Sequence, residues 1–298
     1  MNNKERITLI TVCDNNFPML LGTLIKSIEA NYKLIEPIDF YIVSDKISKK
    51  NKKKLQACCD TSIIAIKWLE LRDILTKNSN IPIDSTTYPL NIYTRLFIPY
   101  FMPHKLKKTI YLDVDMLLLK DISELWNVDI GDNIIGAVQE PNGIIKENVK
   151  NWEQLKLSPD DPYFNSGMLI INNEKWRHNC TTKSVLKCIR DNKRYALYPD
   201  QYGINIALSN ETIKIDSKWN TFSNVMHPDP AIIHFIGYKP IYKDYEGRDD
   251  YLKKFKSYYA MTPWANIAPK SKHQRHLMKL NRKMKKCLIS FFKLKYHY

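Results

Sequence analysis

The sequence predicts an α/β protein in which helices pack against a sheet of largely parallel strands. The first observation is that short apolar runs alternate with amphipathic helical patterns along the first third of the chain. The second is that these helical patterns have the length of the crossover connections between parallel strands. The third is that polar clusters directly follow two of the apolar runs, at the sheet edge where α/β proteins bind ligands.

The elements follow in chain order. The run Ile7–Val12 predicts a buried strand, and Pro18–Tyr32 predicts a helix because its leucines and isoleucines recur at helical spacing. Pro18 suits a first helical turn. Next come a predicted strand at Phe40–Val43, a helix from Ser48 to Cys59 with Ser48 as its N-cap, and a strand at Ile63–Trp68. Farther along we expect a helix at Ile92–Tyr100, strands at Thr109–Leu112, Ile134–Val138 and Met168–Ile171, helices at Thr182–Asp191 and Gln201–Leu208, and a strand-like run at Ala231–Ile236.

Composition narrows the class of protein. The 298 residues are 44% hydrophobic, enough for a sizeable core, yet no apolar run approaches the ~18 residues of a membrane span. Polar residues Asp14, Asn15 and Asn16 interrupt the first apolar run, so we expect a strand there rather than a signal peptide, and a cytoplasmic protein. The six cysteines form no C-x-x-C pair, which favours reduced thiols.

The net charge of +15 is concentrated at the end of the chain. Residues 251–298 contain 13 lysines and arginines and no acidic residue, whereas the first 250 residues carry 33 basic and 31 acidic residues. A non-catalytic nucleic-acid-binding protein would explain a basic chain, but its charge is expected over the binding domain. Because the charge lies outside the predicted catalytic part, we expect no nucleic-acid partner.

The run YLDVD offers a metal site. In an extended backbone, Asp113 and Asp115 point to the same side, so both carboxylates face one hard cation while Val114 packs away. A divalent ion there would offset the charge that develops on a leaving nucleoside diphosphate. The alternative is a pair of ordinary loop carboxylates that cap a turn.

A second polar cluster lies in HFIGYKP. His234 interrupts an apolar run, where a histidine is more often a core residue than a ligand, but two acids alone leave a Mn²⁺ or Mg²⁺ site short of protein ligands. Gly237 allows close approach of a phosphate to the backbone, and Lys239 could neutralise its charge. A third group, Asn165, Asp200 and Gln201, offers amides and a carboxylate suited to sugar hydroxyls, or else a turn residue and a helix N-cap.

Four ordered motifs carry a family resemblance: YLDVDMLLLKDISELW, YFNSGMLIINNEKWR, YPDQYGINI and HFIGYKP. Over roughly residues 7–265 the chain resembles retaining glycosyltransferase family 8, in particular the bacterial lipopolysaccharide galactosyl- and glucosyltransferases. The resemblance implies a GT-A nucleotide-diphospho-sugar transferase fold with a mixed central sheet flanked by helices. It also implies transfer of a hexose from a UDP-sugar with Mn²⁺, or Mg²⁺ as the alternative, to a saccharide or lipid-linked oligosaccharide acceptor.

The resemblance also implies residue roles. The implied metal ligands are Asp113, Asp115 and His234. The implied donor-binding residues are Val12, Asp14, Asn16, Phe17, Val114, Gly237 and Lys239. The implied catalytic-centre residues are Arg95, Glu140, Asn165, Asp200 and Gln201. This chain departs from the family in two places: only Tyr238 separates Gly237 from Lys239, and an asparagine stands at position 15 where a second acid is usual.

Several alternatives stay open at this stage. Galactose and glucose are the favoured sugars, and an N-acetylhexosamine donor is the alternative. A sugar nucleotidyltransferase is disfavoured because no glycine-rich phosphate loop follows the first strand. Retention could proceed by front-face transfer, which we favour because Gln201 is a poor nucleophile, or through a covalent intermediate on Asp200.

The basic tail predicts membrane attachment. Leu277, Leu280, Met284, Leu288 and Phe291 share one face of a helix whose remainder is basic, as in interfacial amphipathic helices. We therefore divide the chain into a catalytic domain, residues 1–268, and a membrane-associating tail, residues 269–298. The tail would hold the enzyme on the inner face of the cell membrane, and removing residues 270–298 is expected to release it while UDP-sugar hydrolysis survives.

Overall fold

The computed structural model describes residues 6–76, 79–82, 88–278, 280, 281 and 284. Its strands are β1 (Thr8–Asp14), β2 (Ile38–Asp45), β3 (Ile64–Glu70), β4 (Lys108–Leu112), β5 (Met116–Leu118), β6 (Ile135–Ile144), β7 (Pro162–Asn172), β8 (Thr212–Ile215), β9 (Thr221–Phe222) and β10 (Ile232–His234). Its helices are α1 (Pro18–Asn31), α2 (Lys49–Cys58), α3 (Leu71–Ile74), α4 (Ile98–Phe101), α5 (Ile122–Trp126), α6 (Ile145–Asn148), α7 (Asn173–His178), α8 (Thr181–Asp191), α9 (Pro199–Ala207) and α10 (Asp249–Tyr259), with 3-10 helices at Leu90–Phe97 and Ser217–Asn220.

The larger sheet is mixed, as the family resemblance implies. Its seven strands lie in the order β3-β2-β1-β4-β7-β6-β8, and β7 runs antiparallel to both of its neighbours. The other pairings in this sheet are parallel. A smaller sheet of order β5-β10-β9 lies beside it. The strands β1 and β4 are parallel neighbours, so the residues that follow them meet at one edge of the sheet.

Two apolar clusters cover the two faces of the larger sheet. Successive residues of β1 point to opposite faces, so that Leu9 joins one cluster and Ile10 the other. Helices α1 and α10 pack on the Leu9 side, whereas α7, α8 and α9 pack on the Ile10 side. Because both faces are covered, β1 and β2 are buried at nearly every position.

The segment predicted as a helix, Ile92–Tyr100, is helical but is not one continuous α-helix. The structure has a 3-10 helix, Leu90–Phe97, followed by the single turn of α4. Pro99 lacks a backbone N–H and cannot donate to a carbonyl one turn earlier, so a continuous α-helix breaks there. In the first turn of α4 no such donor is required, and Pro99 fits. The predicted N-cap is confirmed, because the Ser48 hydroxyl accepts from the Asn51 amide at 3.2 Å.

A pronounced irregularity interrupts the ladder between β6 and β7. Ala137 pairs with Leu169, but the next residue, Val138, pairs with Asn165. Three residues of β7, Ser166–Met168, therefore stand opposite no residue of β6. Bulges of this kind redirect side chains, and here the redirected segment follows Asn165 at the centre of the sheet.

The predicted tail lies only partly within the described residues. Residues 272–278 are helical, and Leu277, Leu280 and Met284 are exposed. Leu288 and Phe291 lie outside the described residues. Among the helices of the described ranges, none is long and apolar enough to cross a membrane.

Candidate active site

The two acids of YLDVD follow β4 and meet the histidine that ends β10. Ligand atoms of Asp113, Asp115 and His234 all lie within 4.8 Å of one another. His234 Nε2 lies 3.5 Å from Asp115 Oδ1 and 3.8 Å from Asp113 Oδ2. Two carboxylates and an imidazole at this separation match the ligand types of a Mn²⁺ site. These three predicted ligands are therefore brought together.

The local backbone differs from the one predicted. Val114 and Asp115 form a turn, closed by the Met116 amide, which donates to the Asp113 carbonyl at 3.3 Å. The expectation of an extended backbone was wrong, because the chain turns between β4 and β5, which lie in different sheets. The carboxylates converge through this turn, and Val114 packs against the apolar core, as expected.

Gly167 forms the floor of the acidic cluster. A Cβ atom at this position would lie 2.5 Å from His234 Cε1 and 3.0 Å from Asp113 Oδ2. No other residue type fits without displacing a ligand. The Gly167 carbonyl also accepts from the Asp113 amide at 2.8 Å, which ties the first acid to the bulge of β7.

A relay of amides fixes the orientation of the histidine. His234 Nδ1 lies 2.9 Å from Asn220 Oδ1, and Asn220 Nδ2 donates to Asn165 Oδ1 at 2.9 Å. Because the Asn220 nitrogen faces an oxygen, its own oxygen must accept the proton of His234 Nδ1. The lone pair of the neutral ring is then on Nε2, which faces the two carboxylates.

Arg95 joins the acidic cluster to the second carboxylate group. Its Nη2 donates to Asp113 Oδ1 at 2.9 Å, its Nε lies 3.0 Å from Asp200 Oδ2, and its Nη1 donates to the Ser166 hydroxyl at 2.9 Å. The guanidinium lies over the Tyr111 ring at 4.6 Å. Burial alone would lower the pKa of Arg95, but Asp113, Tyr111 and Asp200 hold it above its ordinary value. Arg95 is thus a permanently charged hub.

The two buried aspartates differ in their environment. Burial raises the pKa of Asp200, and the opposing effect of Arg95 only partly offsets this. Burial would also raise the pKa of Asp115, but the Lys239 ammonium holds it below its usual range. The Lys239 ammonium is in direct contact with Asp115 Oδ2 and donates to the Phe235 carbonyl at 3.3 Å. Lys239 therefore belongs to the acidic cluster as well.

An amide network fills the remainder of the predicted catalytic centre. Glu140 Oε1 accepts from Gln201 Nε2 at 2.9 Å and from Asn165 Nδ2 at 3.1 Å. Gln201 Oε1 accepts from Asn165 Nδ2 and from the Ser166 amide, each at 3.1 Å. Asp200 lies in the first turn of α9 rather than at its N-cap, which is Tyr198. The five predicted centre residues therefore form one connected set.

The predicted nucleoside-binding residues lie at the end of β1. Val12 and Asp14 belong to the strand, Asp14 Oδ1 accepts from the Asn16 amide at 2.7 Å, and Phe17 is the N-cap residue of α1. Gly237 follows β10 and has a φ of +64°, a left-handed conformation that favours glycine. Both segments lie beside strands whose ends carry the metal ligands.

Sequence reasoning missed four residues of the site. They are Tyr111, whose hydroxyl donates to Asp113 Oδ1 at 2.5 Å, and Ser166, Gly167 and Asn220. Gly167 stands in the quoted motif YFNSG, and a glycine within an apolar strand is a signal for close approach. Asn220 lies in a short 3-10 helix without any pattern that separates it from a loop asparagine.

Comparisons with known proteins agree with this geometry. The model of Glycosyl transferase family 8 matches residues 8–240. General stress protein A of Bacillus subtilis is 24% identical over 288 residues, covering 90% of this chain and 98% of that protein. The lipopolysaccharide 1,2-glucosyltransferase of Escherichia coli is 24% identical over 225 residues, which is 76% of this chain and 65% of that protein.

Solved structures confirm the fold. The galactosyltransferase LgtC, in complex with donor and acceptor sugar analogues, superposes with a TM-score of 0.70 at 23% identity, covering 86% of this chain and 96% of that one. The bifunctional glycosyltransferase WbbM gives a TM-score of 0.71 at 19% identity, covering 89% of this chain and 51% of that one. The predicted GT-A architecture is therefore confirmed, and because the family model spans most of the sequence, the chain belongs to glycosyl transferase family 8.

Proposed function

We propose that the protein is a metal-dependent, retaining hexosyltransferase that moves galactose or glucose from a UDP-sugar to a saccharide acceptor. The observation that carries this proposal is the His234 ring, whose Nε2 lone pair faces Asp113 and Asp115 within a cluster 4.8 Å across. The likeness to a lipopolysaccharide glucosyltransferase supports an acceptor in lipopolysaccharide or another surface glycan.

Asp113, Asp115 and His234 fit a divalent cation, since they offer hard oxygens and one oriented nitrogen, and Gly167 keeps the space between them clear. These residues would hold Mn²⁺. When bound, such an ion offsets the negative charge that develops on the leaving diphosphate. Arg95 holds Asp113 from the opposite side, which keeps the carboxylate in place for this role.

The donor would lie along the edge of the larger sheet. Val12, Asp14, Asn16 and Phe17 would hold the uridine, and Val114 would lie beside the nucleotide. The backbone at Gly237 and the ammonium of Lys239 would contact the diphosphate. Lys239 supports this placement because it is half-buried beside Asp115, a few ångströms from the proposed metal ligands.

For the transfer step we favour attack of the acceptor hydroxyl on the side of the leaving group, with the departing diphosphate taking its proton. Two observations support this course. The amide of Gln201 is hydrogen-bonded at both atoms, with Nε2 donating to Glu140 and Oε1 accepting from Asn165 and Ser166. The Oδ2 atom of Asp200 pairs with Arg95. Glu140, Asn165 and Gln201 would then orient the sugar and stabilise the positive charge at its anomeric carbon.

We also propose that the protein works on the inner face of the cell membrane, with residues 1–268 as the catalytic domain and 269–298 as the attachment tail. The concentration of positive charge beyond residue 250 supports this location. Sedimentation with anionic vesicles tests it, comparing the full chain with a chain that ends at residue 281 and therefore lacks six of the lysines and arginines. Equal sedimentation of both chains would contradict the attachment.

Thermal unfolding tests the main proposal. UDP with Mn²⁺ is expected to raise the melting temperature of the wild type, and Asp115→Ala is expected to abolish the rise. Asp160→Ala, an exposed aspartate whose ion pair with Lys146 lies on the surface, is the matched control and should respond like wild type. Stabilisation by RNA or by nucleoside triphosphates, with none by UDP, would overturn the proposal.

The sugar and the mechanism need two further measurements. Hydrolysis of a panel of UDP-sugars identifies the donor, and preference for an N-acetylhexosamine would replace the hexose in our proposal. Mass spectrometry of the enzyme with a slow donor tests the mechanism. A hexose attached to Asp200 or Gln201 would establish a covalent intermediate and remove front-face transfer.

A further inference from the structure

The beginning of the tail is joined to the loop that carries Gly237 and Lys239. We call residues 237–245 the donor loop. The Lys270 amide donates to the Ile241 carbonyl at 2.8 Å, and the Lys243 amide donates to the Lys270 carbonyl at 3.0 Å. These two bonds form a parallel bridge between Tyr242 and Lys270. The tail therefore starts as a short strand-like partner of the donor loop.

Arg275 makes a second connection, one helical turn farther on. Its guanidinium lies over the Tyr238 ring at 4.1 Å, and its Nη2 donates to Asp244 Oδ2 at 2.8 Å. Tyr238 is the residue between Gly237 and Lys239. Asp244 lies near the other end of the donor loop, so one side chain spans the loop. The Arg275 side chain is only 14% exposed, whereas Lys272 in the same helix is exposed.

Lys270 also reaches the other half of the site. Its ammonium donates to the Asn16 carbonyl at 3.2 Å. Asn16 belongs to the segment proposed to hold the uridine. One residue at the start of the tail thus contacts both segments that would bind the two ends of the nucleotide.

The donor loop needs such restraint. Gly237 is exposed, has a left-handed φ, and has no atom within 4 Å of where its Cβ would be. Glycine has the largest conformational freedom of any residue, and fixing it costs about 1–2 kcal/mol of backbone entropy. Contacts made elsewhere must hold the loop, and Lys270 and Arg275 make them.

We propose that Lys270 and Arg275 are positioning residues of the donor site, which hold the donor loop in the conformation that presents Lys239 to a nucleoside diphosphate. The proposal rests on the function proposed above for its ligand, but the restraint of the loop stands on the contacts alone. It follows that the first turn of the tail belongs functionally to the catalytic domain, and that removal of all residues from 270 onward weakens donor binding as well as attachment.

The test compares three variants of the full-length chain. Arg275→Ala removes both contacts, Arg275→Lys keeps the charge near Asp244 but lacks the planar group that stacks on Tyr238, and Lys272→Ala removes an exposed charge from the same helix. Two quantities are measured: amide hydrogen exchange of residues 238–245, and the affinity for UDP in the presence of Mn²⁺.

We expect Arg275→Ala to speed exchange in the donor loop and to weaken UDP binding about five- to tenfold, as loss of one stacked, ion-paired guanidinium implies. Arg275→Lys should lie between this variant and wild type, and Lys272→Ala should match wild type within twofold. In steady state the loss should fall on the KM for the donor and leave kcat within twofold.

Two results would overturn the proposal. One is exchange and UDP affinity in Arg275→Ala that stay within twofold of wild type. The other is an equal effect of Lys272→Ala, which would show that general charge, rather than this contact, matters. If the wild type binds no UDP at all, the function proposed above fails, and hydrogen exchange alone then decides whether Arg275 restrains the donor loop.

Discussion

Asn220 accepts a hydrogen bond from His234 while donating one to Asn165, so a single side chain sets the tautomer of the histidine and connects it to the amide network. The consequence is chemical rather than only structural. The lone pair of the ring is directed at Asp113 and Asp115, and any change in the polarity of the relay would place a proton there instead. The relay therefore prepares the site for a cation.

Asn220 variants should weaken metal binding without unfolding the protein. Asn220→Ala removes the acceptor at Nδ1, and loss of an outer partner of a ligating histidine costs about 10–100-fold in metal affinity. Asn220→Asp keeps an oxygen toward His234 but cannot donate to Asn165, so its loss should be smaller. Titration with Mn²⁺, followed by the paramagnetic resonance of free ion, measures both. Unchanged affinity in Asn220→Ala would contradict the relay.

Substitution of Gly167 should destroy the metal site by overlap. In Gly167→Ala the new Cβ lies 2.5 Å from His234 Cε1, so the ring must move away from the carboxylates. We expect loss of Mn²⁺ binding and a destabilisation of about 1–3 kcal/mol, typical of overpacking. Urea unfolding and Mn²⁺ titration give the two values.

Gly131 provides the comparison for this variant. Unlike Gly167 it has a positive φ, +53°, and nothing lies within 4 Å of its Cβ position. Gly131→Ala should cost about 1–2 kcal/mol through backbone strain and leave Mn²⁺ affinity unchanged. Equal loss of metal binding in both variants would show that stability, not overlap, governs the site.

Arg95 should be essential for folding as well as for activity. Arg95→Met leaves Asp113 and Asp200 without their buried partner, and breaking a buried ion pair in this way costs about 3–5 kcal/mol. Chemical denaturation measures this cost. Arg72→Met is the control, because Arg72 and its partner Asp73 are both mostly exposed, and such pairs contribute about 0–1 kcal/mol. A similar cost for the two variants would contradict the role of Arg95 as a hub.

Lys239→Met should shift two affinities in opposite directions. The ammonium beside Asp115 repels a divalent cation, so its removal should strengthen Mn²⁺ binding in the absence of nucleotide several-fold, about 1 kcal/mol at this depth. The same change removes a positive charge from the proposed diphosphate position and should weaken UDP binding. Calorimetric titration of each ligand tests this, with exposed Lys253→Met, outside the donor loop, as control. Weaker Mn²⁺ binding in Lys239→Met would be the opposite of the expected result.

Alkylation of Cys58 and Cys59, the adjacent thiols at the end of α2, should depend strongly on pH. Burial raises the pKa of Cys58 to about 11 and that of Cys59 to about 12. Their reaction with iodoacetamide, monitored by mass spectrometry, should therefore be slow at pH 8 and should rise about tenfold per pH unit up to pH 10. Folding favours the protonated thiols, so their contribution to stability is complete below pH 9 and is lost as the pH rises through 11. Labelling that reaches a plateau at pH 9 would contradict this.

Much of the fold follows from local sequence pattern. Strand β1 and helix α1 were predicted at nearly their observed bounds, because burial of one or both faces sets the spacing of apolar residues along the element. The antiparallel direction of β7 has no such local mark, since both faces of the strand are buried whichever way it runs, and the prediction of a mixed sheet depended on the family resemblance. The helix predicted around Arg95 is present, but as a 3-10 helix followed by an α-helical turn, because Pro99 can either begin a helix or interrupt one.

The residues of the candidate site likewise include some that the sequence predicts and some that it does not. The ligands Asp113, Asp115 and His234 could be named from residue type and motif. Asn220 could not, because its role depends on His234, a residue distant in sequence that contacts it only after folding. Gly167 carried a signal for close approach, but its partner in that approach could not be named. The contact of Lys239 with Asp115 likewise joins residues 124 positions apart. The family resemblance implied the roles of these residues, but the hydrogen bonds between them are seen only in the folded structure.

The bulge in β7 places residues of the candidate site and, in doing so, interrupts the pairing of the sheet. Deletion of Ser166–Met168 would let Ala137 and Val138 pair with consecutive residues of β7, yet it would remove the glycine beneath the metal ligands and the serine that holds Arg95. Regular pairing and this site therefore exclude each other. A variant designed for regular pairing alone would therefore gain a ladder at this point and lose the cation site.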